Sequence, residues 1–140
     1  MALNVLLVDD SAVMRSIVKR VLGLSGFELG EIHEAGDGKE ALRVLDEQWV
    51  DCVLTDVNMP VMNGVELLQT MKADEVLSSL PVIVVSTEGR SEKIQEILDK
   101  GAAGYITKPF KPEDIRRTLC DALGVEIDEN FVEEPEDSDF

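Results

Sequence analysis

The sequence predicts a doubly wound α/β domain, a five-stranded parallel sheet wrapped by five helices. Two observations carry that expectation. Five short apolar runs rich in β-branched residues alternate with segments of helical period, the pattern of strands joined by crossover helices. Several of those runs, such as Val5-Leu-Leu-Val8 and Val82-Ile-Val-Val85, are apolar throughout, as strands buried on both faces must be.

The strands expected are Asn4–Val8, Glu31–Ala35, Cys52–Thr55, Val82–Ser86 and Ala103–Thr107. The first helix is marked by Met14, Ile17, Val18 and Val21 on one face, with Ser11 placed to cap its start and Gly23 and Gly26 to end it. The others are expected over 39–48, 65–72, 92–100 and 113–123. Gly101 occupies a C-terminal cap position and Pro112 a first-turn position. There is no internal repeat.

At 140 residues the chain is long enough to bury a core without staples. Cys52 and Cys120 lack the close spacing of zinc or redox pairs and read as packing residues. No basic region precedes the short apolar run at the N-terminus, and no stretch reaches the roughly 18 apolar residues of a membrane span. A cytoplasmic address without membrane insertion is the expectation. The net charge of −16 repels phosphate backbones and argues against nucleic-acid partners. Half of that charge lies in residues 126–140, which hold eight acidic residues and no basic one. The expected organisation is a domain over 1–124 and an acidic tail over 125–140, solvated or used for docking.

In an open parallel sheet the ligand site lies beyond the carboxyl ends of the strands. Here those ends carry Asp9 and Asp10, Asp56, Ser86, and Thr107-Lys108-Pro109. Three carboxylates, a hydroxyl and an ammonium are thereby expected in one pocket. Like charges at ~4 Å repel by about 4 kcal/mol at an effective dielectric near 20, so the acidic trio implies a cation. Oxygen donors with few protein ligands suit Mg²⁺ (or Mn²⁺). Such a site fits phosphoryl transfer to a carboxylate, which needs mainly positioning and charge neutralisation. Asp56 stands alone at its strand end and is the candidate nucleophile, while Asp9 and Asp10 are arranged to hold the metal. Lys108 and the Ser86 hydroxyl are the candidate partners of the phosphoryl oxygens.

Together, Asp9-Asp10-Ser11, Asp56-Val-Asn-Met-Pro60, Met62-Asn-Gly-Val65, Ser86-Thr-Glu88 and Lys108-Pro-Phe110 resemble the response-regulator receiver family. The resemblance spans residues 3 to about 123 and is strongest to the single-domain chemotaxis, or CheY-like, regulators. It implies the flavodoxin-like strand order 2-1-3-4-5. It also implies Asp56 as phosphoacceptor, Asp9, Asp10, Asp56 and the Asn58 backbone carbonyl as Mg²⁺ ligands, and Lys108 as the family's lysine. Ser86 and Tyr105 become switch residues, and Asn58 and Glu88 tune hydrolysis.

The implied activity is that of a two-component signalling switch rather than a conventional enzyme. It would be phosphorylated by a sensor histidine kinase, support its own dephosphorylation, and bind a protein target through the helix 4–strand 5–helix 5 face. A monomer is expected, with a dimer as the alternative. Asn63 stands where many relatives carry Asp, and Ser86 where Thr is commoner; the acidic tail lies outside the family pattern.

Other functional readings are a phosphate sink or adaptor, a receiver fragment of a longer regulator, and a haloacid-dehalogenase-like phosphatase. The last needs Asp-x-Asp after the first strand, and the sequence has Asp9-Asp10-Ser11. A flavodoxin would need a phosphate loop that is missing after that strand. The sixteen residues after Gly124, eight of them acidic, do not suffice for a DNA-binding output domain.

Overall fold

A computed structural model describes residues 2–127. The chain runs β1 (Leu3–Val8), α1 (Ala12–Gly23), β2 (Leu29–Ala35), α2 (Gly38–Glu47), β3 (Cys52–Thr55), α3 (Gly64–Lys72), β4 (Val82–Ser86), α4 (Ser91–Asp99), β5 (Gly104–Thr107) and α5 (Pro112–Leu123). All neighbouring strands pair in parallel, in the order β2-β1-β3-β4-β5. The expected fold class and strand order are therefore those observed.

The wholly apolar runs became the inner strands. Every residue of β3 and β4 is buried, whereas β2 lies at the sheet edge and buries only Ala35. One apolar cluster joins Leu7, Leu54 and Ile83 to Val18, Val21 and Leu22 of α1 and Ile115 and Leu119 of α5. A second joins Leu6, Val53 and Val84 to Ala41 of α2, Leu67 and Leu68 of α3 and Ile97 of α4. Alternate residues of each strand feed opposite clusters, as the pleat requires.

Local chemistry sets the helix ends. Ser11 accepts from the Met14 N–H at 3.1 Å, and Asn63 and Glu66 form a capping box that starts α3. Asn63 thus serves the turn, as expected of a residue that suits caps as well as Asp does. Pro112 is the first residue of α5, where its missing N–H costs nothing. Gly101 and Gly124 adopt φ of 110° and 68° after α4 and α5, a conformation that glycine enters without a Cβ penalty.

Most boundaries fall within one residue of expectation. α1 ends at Gly23, as expected, and Gly26, with φ of 98°, turns the chain. β2 begins two residues early, at Leu29, because the Asn4 side-chain oxygen accepts from the Glu31 N–H and bridges a register shift between β1 and β2. Cys52 is buried and Cys120 partly so, both free thiols. No helix among the described residues is long and apolar enough to cross a membrane. Most of the expected acidic tail lies outside the described residues.

Candidate functional site: an acidic cluster at the carboxyl ends of the strands

Three backbone bonds continue the sheet ladder past its last paired residues. The Asp9 N–H donates to the Ala35 carbonyl at 3.0 Å, Asp56 to Val8 at 2.9 Å, and Lys108 to Ser86 at 2.8 Å. The first residue after β1, β3 and β5 is therefore held nearly as firmly as the strand. The oxygen ligand atoms of Asp9, Asp10 and Asp56 come within 4.8 Å of one another. Lys108 Nζ enters the same cluster, 3.5 Å from Asp9 Oδ2 and 4.0 Å from Asp56 Oδ1.

The environments of the carboxylates differ. Asp9 is buried; its Oδ1 accepts from the Ser11 N–H at 2.9 Å. Asp10 is exposed. Asp56 is half-buried, with Oδ1 accepting from the Val57 N–H at 2.8 Å. Burial pushes the Asp56 carboxyl above the usual carboxylate range, and the charges of Asp9 and Asp10 push the same way. Lys108 and the Val57 N–H oppose them. A carboxylate held this way gains from any added positive charge.

Ser86, Asn58, Glu88 and Tyr105 line an adjoining cleft of about 250 Å³ beside Val57 and Val65. Ser86 is buried, and its hydroxyl oxygen accepts from the Glu88 N–H at 3.2 Å. The Tyr105 hydroxyl donates to the Glu88 carbonyl at 2.8 Å, while its ring packs against the second apolar cluster. The core role and the polar contact coexist in this one ring. The Glu88 carboxylate faces Arg90, accepting from its backbone N–H and Nε at 2.9 Å and from Nη2 at 3.1 Å. Those bonds hold the Glu88 carboxyl down to about 2.

Other residues shape the site without a signal in the motifs. Arg15 Nη1 donates to the Asp9 carbonyl, and its Nε pairs with Glu34 at 2.7 Å, tying α1 and β2 to the acidic pair. The Thr55 hydroxyl donates to the Asp56 carbonyl at 2.9 Å. Gly64 donates to the Val57 carbonyl at 2.8 Å, and a Cβ there would run into the Asp56 carbonyl oxygen. Helical spacing from Ser11 predicts only that Arg15 is on the first turns of α1; it does not reveal the carbonyl beneath.

Residues 5–120 match the model of the response regulator receiver domain. The chain belongs to that family. The receiver domain is 42% identical over 117 residues to chemotaxis protein CheY-3 of Vibrio cholerae, covering 84% of this chain and 88% of that protein. It is 37% identical over 132 residues to a chemotaxis protein CheY homolog of Campylobacter jejuni, covering 94% of this chain and all of the relative. The structure of chemotaxis response regulator CheY4 of Vibrio cholerae superposes with a TM-score of 0.76 at 36% identity, over 87% of this chain and 99% of that one. The family is one of signalling receivers rather than conventional enzymes. Receiver domains typically bind Mg²⁺, and the hard oxygen donors of Asp9, Asp10 and Asp56 form a set that could hold it.

Proposed function

We propose that this receiver domain is a phosphorylation-activated switch whose acceptor is Asp56. The observation that carries this reading is the meeting of Asp9, Asp10 and Asp56 within 4.8 Å, with Lys108 at their edge. Asp56 is the carboxylate of the three that stands alone on its strand end, with one oxygen held by the Val57 N–H. Its other oxygen is then the attacking atom. Oδ2 forms the bond to phosphorus as the donor's leaving group departs, giving an acyl phosphate.

Asp9, Asp10, Asp56 and the Asn58 carbonyl would hold Mg²⁺ (or Mn²⁺), which supplies charge neutralisation for the entering phosphoryl group. Lys108 moves from the carboxylates to a phosphoryl oxygen. Ser86 donates its hydroxyl to another. Each such charge-assisted hydrogen bond contributes ~1.5–3 kcal/mol, so a few of them reach the about 5.5 kcal/mol that moves a two-state equilibrium from 1:99 to 99:1.

Drawing in Ser86 pulls on Glu88 through the 3.2 Å bond, and Glu88 is bonded to Tyr105. The change thereby reaches the α4–β5–α5 face, where a target protein binds. A sensor histidine kinase supplies the phosphoryl group, the domain supports its own dephosphorylation, and Asn58 and Glu88 tune that step. We place the protein in the cytoplasm as a monomer, in chemotaxis or motility, with receiver domain 1–124 followed by the acidic tail 125–140.

Incubation with Mg²⁺ and acetyl phosphate is expected to label the wild type and not Asp56→Asn. Retention of the label by the variant assigns the acceptor elsewhere.

A further inference from the structure

The end of the sheet opposite the acidic cluster carries a second concave surface. A cleft of about 350 Å³ lies between the α2–β3 connection and the segment after α3, lined by Leu45, Trp49, Val50, Leu77, Leu80 and Pro81. α2 ends at Glu47 and β3 begins at Cys52, so little chain is available to turn inward. Val50 enters the core, at 8% exposure, and its neighbour Trp49 is left 77% exposed. On the opposite wall Val76 is 82% exposed. An indole so exposed is unusual, because tryptophan is among the side chains most buried on average.

Both walls are held by hydrogen bonds. Trp49 Nε1 donates to Asp51 Oδ1 at 3.3 Å, and Asp51 Oδ2 accepts from the Asn4 N–H at 2.8 Å. Asp74 Oδ1 accepts from the N–H groups of Val76 and Leu77 at 2.8 and 3.0 Å. Lys72 Nζ donates to the Ser78 carbonyl at 2.9 Å. The apolar surface is therefore presented in a set shape, which lowers the ordering cost of binding.

The charge on these segments selects the occupant. Asp51 lines the cleft, Asp46 and Glu47 lie in sequence between its lining residues Leu45 and Gln48, and Asp74 and Glu75 immediately precede Val76. None of the five forms an ion pair among the described residues. A second copy docking through the same cleft would bring two such acidic rims together. Residues 126–140 of this chain, with eight acidic residues and no basic one, meet the same repulsion.

We propose that this cleft docks a cationic amphipathic segment of a partner protein. An apolar side chain of that segment seats between Trp49 and Val76, and its lysines or arginines face the five carboxylates. Aromatic anchors ringed by complementary charge are a common basis of such recognition. None of the lining residues belongs to the loops that carry Asp9, Asp56, Ser86 or Lys108, so docking here is independent of phosphorylation. The surface is distinct from the α4–β5–α5 face and does not rest on it.

Trp49 is the chain's single tryptophan and reports directly. The probe is a tryptophan-free amphipathic lysine–leucine peptide, titrated into the full chain at low salt. Trp49 emission is expected to shift to the blue, and anisotropy of the labelled peptide to weaken as salt rises. Trp49→Ala and Val76→Ser, which leave every charge in place, are expected to lower affinity about tenfold each. The Asp46→Asn, Glu47→Gln, Asp74→Asn, Glu75→Gln variant is expected to do the same, and treatment with acetyl phosphate to change nothing.

Unchanged affinity in both apolar variants overturns the proposal, since the peptide would then ride on net charge alone. So does a dimer in sedimentation equilibrium that Val76→Ser dissolves, which makes a second copy the occupant. A change in Trp49 emission on removing residues 128–140 assigns the cleft to the chain's own end and also overturns it.

Discussion

Lys108 Nζ lies 3.5 Å from Asp9 Oδ2, nearer than it lies to the carboxylate of the proposed acceptor. In the unphosphorylated protein this ammonium therefore serves chiefly to neutralise the buried member of the acidic pair. Removing it leaves three carboxylates facing one another in a partly dehydrated site. Lys108→Met is expected to lower stability in urea unfolding by about 2 kcal/mol without Mg²⁺, below the cost of breaking a fully buried pair because Asp10 is in water. Mg²⁺ is expected to bind this variant more tightly than the wild type, because the cation no longer competes with an ammonium. Unchanged stability would mean that the Lys108–Asp9 contact is not energetically significant.

Asp56→Asn is expected to stabilise the metal-free protein. The Asp56 carboxyl is raised by burial first and by its acidic neighbours after that. A raised folded-state value means the native protein favours the protonated form, so ionising Asp56 removes stability as pH climbs through the carboxylate range. The variant's advantage should thus be absent in acid and present at neutral pH, reduced there by solvent screening. Saturating Mg²⁺ should reverse the order, since the intact trio binds the cation better. Thermal melts at two pH values, with and without Mg²⁺, test both signs.

Gly64→Ala tests the close approach beneath the site. The added methyl group would meet the Asp56 carbonyl, which is backbone and cannot swing aside. A loss of about 3 kcal/mol is expected, together with slower labelling by acetyl phosphate because the Asp56 backbone must shift. Chemical denaturation and the labelling rate measure the two effects, and a neutral variant would contradict the geometry.

Cys52 gives an alkaline signature. Burial, with a smaller contribution from Asp51, pushes its thiol from 9.0 up to about 12. The native state keeps a proton that the unfolded chain releases, so this contribution is complete below pH 9 and is lost as pH rises through about 12. Cys52→Ala should therefore lose less stability than wild type between those limits, despite a lower starting value from the vacated volume. Near neutral pH a thiol reagent should modify the partly exposed Cys120 and spare Cys52 until the protein unfolds.

The match between sequence and structure follows the range of the forces involved. Ser11, Pro112 and Gly101 act on backbone groups within one turn, so their roles could be read from neighbouring residues alone. Asn4 could not: its bond to the Glu31 N–H spans 27 residues and lengthens β2 beyond the expected start. The Arg15 contacts to the Asp9 carbonyl and Glu34, and the Arg90 grip on Glu88, likewise depend on side-chain directions that no spacing rule supplies.

By itself the sequence determined the sheet, the helices, and the set of strand ends that carry Asp9, Asp10, Asp56, Ser86 and Lys108, because hydrophobic period and position after a strand are local properties. The tertiary structure decided the rest. It set which carboxylate Lys108 approaches, which oxygen of Asp56 is occupied by the Val57 N–H, and why no side chain fits at Gly64. It also left Trp49 and Val76 facing one another's side of an acidic-walled cleft, on connections remote in sequence. Distances of a few ångströms between residues tens of positions apart arise only when the whole sheet closes its core, and the chemistry of the site depends on those distances.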